Sequence, residues 1–249
     1  MASVASQLVF HPAVSQSLKF GATNVGRDKV YRAIQFFARF FAWYLQNNGN
    51  KLEAARWTHL KAHLGTARKL MRLGKPVEHL QAALRATFAP GPASETITTV
   101  ARQVAYFGYL SYDALVWANS IKFINLNPET AKRIAKTSFR LWFAGIVFSL
   151  INGVLKASRL TQEIKKLQGT RAWGDKDLSE EAARETRLNA VQATRRSTRD
   201  QLVIDLLDVW IPATGAGLLD VNEGTLGSLG LISSILGVKA QWRAVNGKK

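Results

Sequence analysis

The 249-residue chain contains no cysteine, which excludes disulfide scaffolds, thiol catalysis and cysteine-ligated zinc sites. Proline is scarce, at 6 residues, and runs of β-branched side chains are few, so little opposes a mostly helical chain. Acidic residues are the other shortage: 17 Asp and Glu stand against 34 Lys and Arg, a formal charge of +17. Such an imbalance points to an anionic partner, either nucleic acid or an acidic membrane surface. Hydrophobic residues at 47% and charged ones at 20% exclude a disordered tail protein. Catalytic signatures are missing as well. There is no G-x-S-x-G, no phosphate-binding loop of the Walker type and no G-x-G-x-x-G. His59 and His63 lie four apart without a Glu between them, and the glycines of 214–217 lead to no Lys, so neither reads as a site. The chain is expected to be non-enzymatic and to need no cofactor or metal.

The positive charge that is present lies mainly in the first two thirds. Residues 1–90 carry 13 basic and 3 acidic side chains, and residues 91–168 carry 10 and 4. The remainder, with 11 and 10, is nearly neutral. The basic part is also the aromatic part: Phe36, Phe37, Phe40, Phe41, Trp43 and Tyr44 crowd around Arg39. Large apolar groups interleaved with cations suit a membrane interface better than a phosphate backbone, so nucleic acid is not the expected partner. The first 18 residues hold no Lys or Arg and are interrupted by His11-Pro12, so no secretory signal is expected there. The closing Asn246-Gly247-Lys248-Lys249 matches no peroxisomal or retrieval address of the S-K-L or K-D-E-L type.

Helix signals run throughout. A short helix is expected from Pro12 and a longer one over 27–45, ended by Asn47-Asn48-Gly49-Asn50 and apolar nearly all round. Over 52–73, Trp57, Leu60, Leu64 and Met71 share one arc of the wheel, and Lys61, Arg68, Lys69 and Arg72 gather opposite. After Gly74-Lys75-Pro76 the apolar stripe resumes with Val77, Leu80, Leu84 and Phe88. This is a cationic amphipathic pair. Its apolar arc either wedges into a bilayer, with Lys75 and the other cations on anionic headgroups, or packs on the aromatic helix before it. Ser94 is the expected cap of a helix reaching 124, and Asn127-Pro128-Glu129 opens another that could run to 167. A polar loop over 169–177, a charged helix to about 210 and a glycine-rich end follow. The regions read as 1–92, 93–168, 169–210 and 211–249.

Two segments, 141–155 and 224–238, hold 15 residues each without a charge. Both fall short of the roughly 20 residues of a full span, so they are either core helices or spans whose flanking Arg140, Lys156, Lys239 and Arg243 reach the headgroups. If both span, the termini share the cytosolic side. Gly145, Ser149 and Gly153 form a flat ridge at four-residue spacing, as do Gly230 with Ser234 and Ser233 with Gly237. Such ridges are expected to seat another helix, and that of 141–155 to support self-association. The fold class is therefore all-α: a membrane-associated helical protein with amphipathic helices and one to three membrane-embedded or spanning helices.

The string Thr23-x-x-Gly26-Arg27-Asp28-Lys29-x-x-Arg32-x-x-Gln35-Phe36-x-x-Arg39 resembles the N-terminal motif of the peroxin-eleven family, with Phe36 where members usually carry Tyr. Arg68-Lys69-x-x-Arg72-Leu73-Gly74-Lys75 is similar to that family's second motif, and Gly230-x-x-Ser233-Ser234 with Trp242 to its closing segment. The resemblance covers essentially the whole chain. It implies a non-enzymatic peroxisomal membrane protein with both termini facing the cytosol. It further implies elongation, fission and proliferation of the organelle by insertion of a cationic amphipathic helix. The implied partners are anionic peroxisomal lipids, further copies of the chain, and a dynamin-related GTPase with its membrane adaptor. The alternative it leaves open is a pore for small metabolites.

Overall fold

The computed structural model describes residue 7, residues 9–169 and residues 178–247, and each element defined within them is a helix. The expected polar loop falls almost wholly outside those residues, as do Lys248 and Lys249. Local chemistry sets the boundaries. α1 (Pro12–Ala22) opens with Pro in its first turn, and its His11 cap accepts from the Ala13 N–H at 3.2 Å. Thr23 ends α1 in extended conformation and caps α2 (Asn24–Asn47), accepting from the Gly26 N–H at 2.9 Å. Gly49, at φ 79°, turns the chain into α3 (Lys51–Leu70), which Asn50 caps. α4 (Lys75–Phe88) again begins with Pro. α5 (Ala93–Ser120) starts after an extended Pro92, so Ser94 lies inside the first turn and not at the cap expected of it. The Asn127-Pro128-Glu129 start holds: Asn127 accepts from the Thr130 N–H at 2.7 Å and opens α6 (Pro128–Gly169). α7 (Leu178–Asp208), α8 (Trp210–Gly215) and α9 (Glu223–Asn246) complete the fold.

Pairing is mostly antiparallel between neighbours in sequence, and one long return closes the molecule. α2 lies between α3 and α9, while α5 lies between α4 and α6, and α7 backs α6. The α9–α2 seam brings the two ends of the chain together. Gly224 meets Trp43, Gly227 the Phe40 backbone and Gly230 the Phe36 ring, so residue numbers rise on one helix as they fall on the other. Phe36, Ile211 and Leu226 form a small apolar core there, and Leu160, Ile164 and Val191 another between α6 and α7.

The polarity of this bundle runs against that of a water-soluble one. Arg32, Arg68, Asp113, Asp205 and Asp208 are buried. Val77, Leu84, Phe88, Val154 and Ile235, among other large apolar side chains, are exposed. Water rewards the opposite arrangement, whereas lipid tails accept an apolar exterior and drive charge inward into pairs. Among the described residues one helix, α6, is long and apolar enough to cross a membrane, and only 28% of its most apolar 18-residue window is buried in the fold. Its 42 residues would measure about 60 Å, so it extends well beyond a hydrocarbon core of about 30 Å. The expected second span, 224–238, is instead a packing helix: Gly224, Leu226, Gly227, Gly230 and Gly237 are buried along α9. Its lack of charge serves close approach to α2.

Candidate functional site

The two motifs read from the sequence meet in space. On α2, Asp28, Arg32, Gln35 and Arg39 recur at intervals of three and four, which sets them on one face. Arg32 donates to Asp208 at 2.7 Å, its guanidinium 5.1 Å from the centre of the Phe36 ring. Arg39 grips Glu223 at the start of α9 with two bonds of 2.9 and 2.5 Å, and Lys61 joins the same carboxylate at 3.2 Å. Burial pushes the Glu223 carboxyl up, but the bonds and charges of Arg39 and Lys61 outweigh it and hold the group below its ordinary value. Two motif residues do other work. Arg27 turns back to the Gly21 carbonyl at 2.6 Å, fastening α1 to α2. Gly26 sits where a Cβ would strike the Phe20 carbonyl and come within 2.6 Å of the Thr23 hydroxyl.

The α3 cations share a face, as their spacing requires, but that face points inward. Arg68 is buried, donating to Asp28 at 2.9 Å and to Gln35 at 2.6 Å. Burial pushes its guanidinium down to about 10 against the pull of Asp28. Lys69 pairs with Asp113 of α5, and Arg72 donates to the other oxygen of Asp113 at 2.8 Å and to the Tyr109 hydroxyl at 3.0 Å. Burial works against the charge on Arg72, but Tyr109 and Asp113 prevail and raise its pKa. Lys75 pairs with Glu78 at 2.8 Å. The outward, headgroup-level position expected of Arg68, Lys69 and Arg72 is therefore corrected. The acids that neutralise them, Asp28 and Asp113, sit on neighbouring helices and turn them to the interior.

Most of these side chains wall a cavity of about 680 Å³ between α2, α3, α5 and α6, to which α4 adds Lys75 and His79 and α7 adds Asp208. Nine Lys or Arg line it against three Asp. Lys29 is among the lining residues, its pKa lowered first by burial and then by Arg32. Arg102 of α5 lines it too, 5.5 Å from the centre of the Tyr106 ring. The sequence reading missed Arg102, Asp208 and Tyr109, which come from separate segments, α5 and α7, and are gathered only by the helix packing. Asp113 did carry a signal, as the lone acid in the otherwise neutral stretch 103–121. No group of three or more metal-ligating side chains occurs among the described residues.

The expected apolar arc divides. Trp57 packs edge-on against Phe41 and Phe37 of α2, with ring centroids 4.9 and 5.7 Å apart, and Leu64 and Met71 are half-buried. Leu60 stays exposed. The continuous free row lies on α4, where Val77, Leu80, Leu84 and Phe88 all face outward while Ala83 is buried. The small-residue ridges are filled from within the chain. Gly145 faces Tyr106, Ser149 donates to Asp205 at 2.5 Å, and Gly153 lies under Leu202. On α9, Ser233 and Ser234 bond back to the Gly230 carbonyl, and Gly237 lies beside Lys29.

The family model for peroxisomal biogenesis factor 11 (PEX11) matches residues 14–242, which take in both motifs, the cavity and the α9 seam. The chain belongs to the PEX11 family. Peroxisomal membrane protein PMP27 of Saccharomyces cerevisiae is 30% identical over 97% of this chain and 99% of its own length. Peroxisomal biogenesis factor 11 of Schizosaccharomyces pombe is 23% identical over 87% and 89%, and human peroxisomal membrane protein 11B is 25% identical over 89% and 94%. No solved structure matches the chain. PEX11 membership assigns it to the peroxisomal membrane and implicates it in the shaping and proliferation of that membrane. It also implies association with the bilayer and with further copies of the chain.

Proposed function

We propose that this protein bends the peroxisomal membrane by seating α4 in one leaflet. The row Val77, Leu80, Leu84, Phe88 is the wedge, and α6 is the membrane anchor. The observation that carries the reading is the free apolar row on α4, a helix whose other face is occupied by α5. Side chains that reach only the upper acyl region widen one leaflet and curve it. Burying each Leu fully is worth about 1.5–3 kcal/mol, so four large apolar groups, partly inserted, hold α4 at the surface. Lys51, Arg56 and Arg85 are the exposed cations of α3 and α4 and are the proposed contacts to anionic headgroups. Recruitment of a dynamin-related GTPase and its adaptor, self-association and cytosolic termini belong to the same reading and rest on the family.

Purified full-length protein on anionic vesicles is expected to draw tubules visible by negative-stain microscopy. Leu80→Glu with Leu84→Glu should abolish them and leave weak, salt-sensitive adsorption. Undiminished tubulation by that double variant would refute the wedge. A second reading, a pore for small metabolites, finds support in one observation: a charged cavity in a fold whose exterior carries many large apolar side chains. Planar-bilayer conductance that Asp113→Leu removes is its test.

A further inference from the structure

The cavity walls carry more positive charge than they neutralise. Asp28 is engaged by Arg68 and Asp208 by Arg32, while Asp113 is divided between Lys69 and Arg72. Lys29 and Arg102 line the same space and make no ion pair. The Nε–H of Arg102 is buried without any hydrogen-bond partner, an arrangement that costs about 1–3 kcal/mol and is uncommon in folded proteins. Burial first, and then the charge of Arg32, lower the pKa of Lys29 despite the nearby Asp28 and Asp208. A fold that spends stability on an uncompensated cationic chamber has a use for an anion there.

The chemistry of that anion follows from the walls. A volume of about 680 Å³ lies within the range of small-molecule sites. Nine cations set against three Asp, with Glu223 and Glu78 pairing three of the cations from outside the lining, leave an excess of four that a singly charged anion does not balance. Guanidinium forks match phosphate oxygens in pairs, and Arg32, Arg68, Arg72 and Arg102 supply four of them. We propose that the cavity is a discrete binding site for a compact, multiply phosphorylated anion, with Arg102 and Lys29 as its direct contacts. The remaining arginines, already paired to Asp, set the potential around it. Two sources share this chemistry: a soluble polyphosphorylated metabolite, and the headgroup of a polyphosphorylated inositol lipid entering from the membrane surface. The site is independent of the wedge on α4, and binding by a soluble anion is measurable with no curvature involved.

The test is titration calorimetry of the full chain in neutral detergent with inorganic tripolyphosphate at constant ionic strength. One saturable site per chain is expected. Lys29→Gln and Arg102→Gln should each weaken it about tenfold, the loss of one charge-assisted hydrogen bond to phosphate. Arg195→Gln with Arg196→Gln, which removes two exposed charges from α7, should leave it unchanged, and thermal unfolding of every variant separates lost binding from lost fold. Vesicles of phosphatidylcholine doped with phosphatidylinositol bisphosphate form the second arm, against phosphatidylserine vesicles of equal charge. Cavity-dependent preference for the former, competed by tripolyphosphate, identifies the headgroup as ligand; tripolyphosphate binding without that preference identifies a soluble anion. Absence of a saturable site, or equal loss from the cavity and α7 variants, overturns the proposal.

Discussion

Gly227 and Gly237 both lie on the buried side of α9, and their neighbours differ in what they can yield. A Cβ at Gly227 would stand 2.6 Å from the Phe40 amide nitrogen and 2.7 Å from its Cα, atoms of a helix that cannot step aside. At Gly237 the nearest atom is the Cδ of Lys29, 3.3 Å away on a flexible stem. Gly227→Ala is therefore expected to destabilise the protein by about 1–3 kcal/mol, and Gly237→Ala by less than about 0.5, in denaturant titrations in micelles. Glu223, nearby, makes a pH-dependent clamp. Its folded pKa lies below the ordinary glutamate value, so its contribution is complete above about 4.3 and is lost as pH falls through the lower folded value. Half of that side chain is exposed, which keeps the effect small. Glu223→Gln should lower Tm at neutral pH, and the two Tm curves should converge on acidification below the ordinary value. Parallel curves throughout would show that the clamp contributes nothing.

At the scale of elements, periodicity told which residues share a face and could not tell what the face meets. The wheel of α3 grouped Lys61, Arg68, Lys69 and Arg72 correctly. Their direction was set by Asp28 and Asp113, 40 and 44 residues away from their partners in sequence. Caps were legible where the side chain itself makes the bond, as at Asn127; at Pro92 no side-chain bond forms, and Ser94 misled. The uncharged run 224–238 was ambiguous for a physical reason. Small residues free of charge suit lipid and suit close helix contact alike, and here Trp43, Phe40 and Phe36 claim them. The α6 ridge follows the same logic. A Cβ at Gly153 would lie 2.5 Å from Leu202, and Ser149 is already bonded to Asp205. Gly153→Leu is thus expected to loosen α7 from α6 within one chain, seen as faster proteolysis of α7 in the monomer. Lost cross-linked oligomers with unaltered proteolysis would return the ridge to self-association.

For the whole molecule, the governing fact is an exterior of large apolar side chains around an interior of paired charge and a cationic chamber. The all-α class, the amphipathic pair and the membrane as partner were readable because composition and periodicity record them directly. The chamber was not, because its walls come from residues spread between Asn24 and Ile211. The central claim is that the α4 row lies among acyl chains, and the cysteine-free sequence makes it directly measurable. Single cysteines placed at 77, 80, 84 and 88, and at 78 and 85 beside the row, can each carry an environment-sensitive fluorophore. Depth-dependent quenching by lipid-borne nitroxides on anionic vesicles then reports each position. Labels at 77, 80, 84 and 88 should be quenched most by nitroxides in the upper acyl region, and those at 78 and 85 by headgroup nitroxides. Equal depth at all six positions, or quenching of the row only from water, would contradict the account.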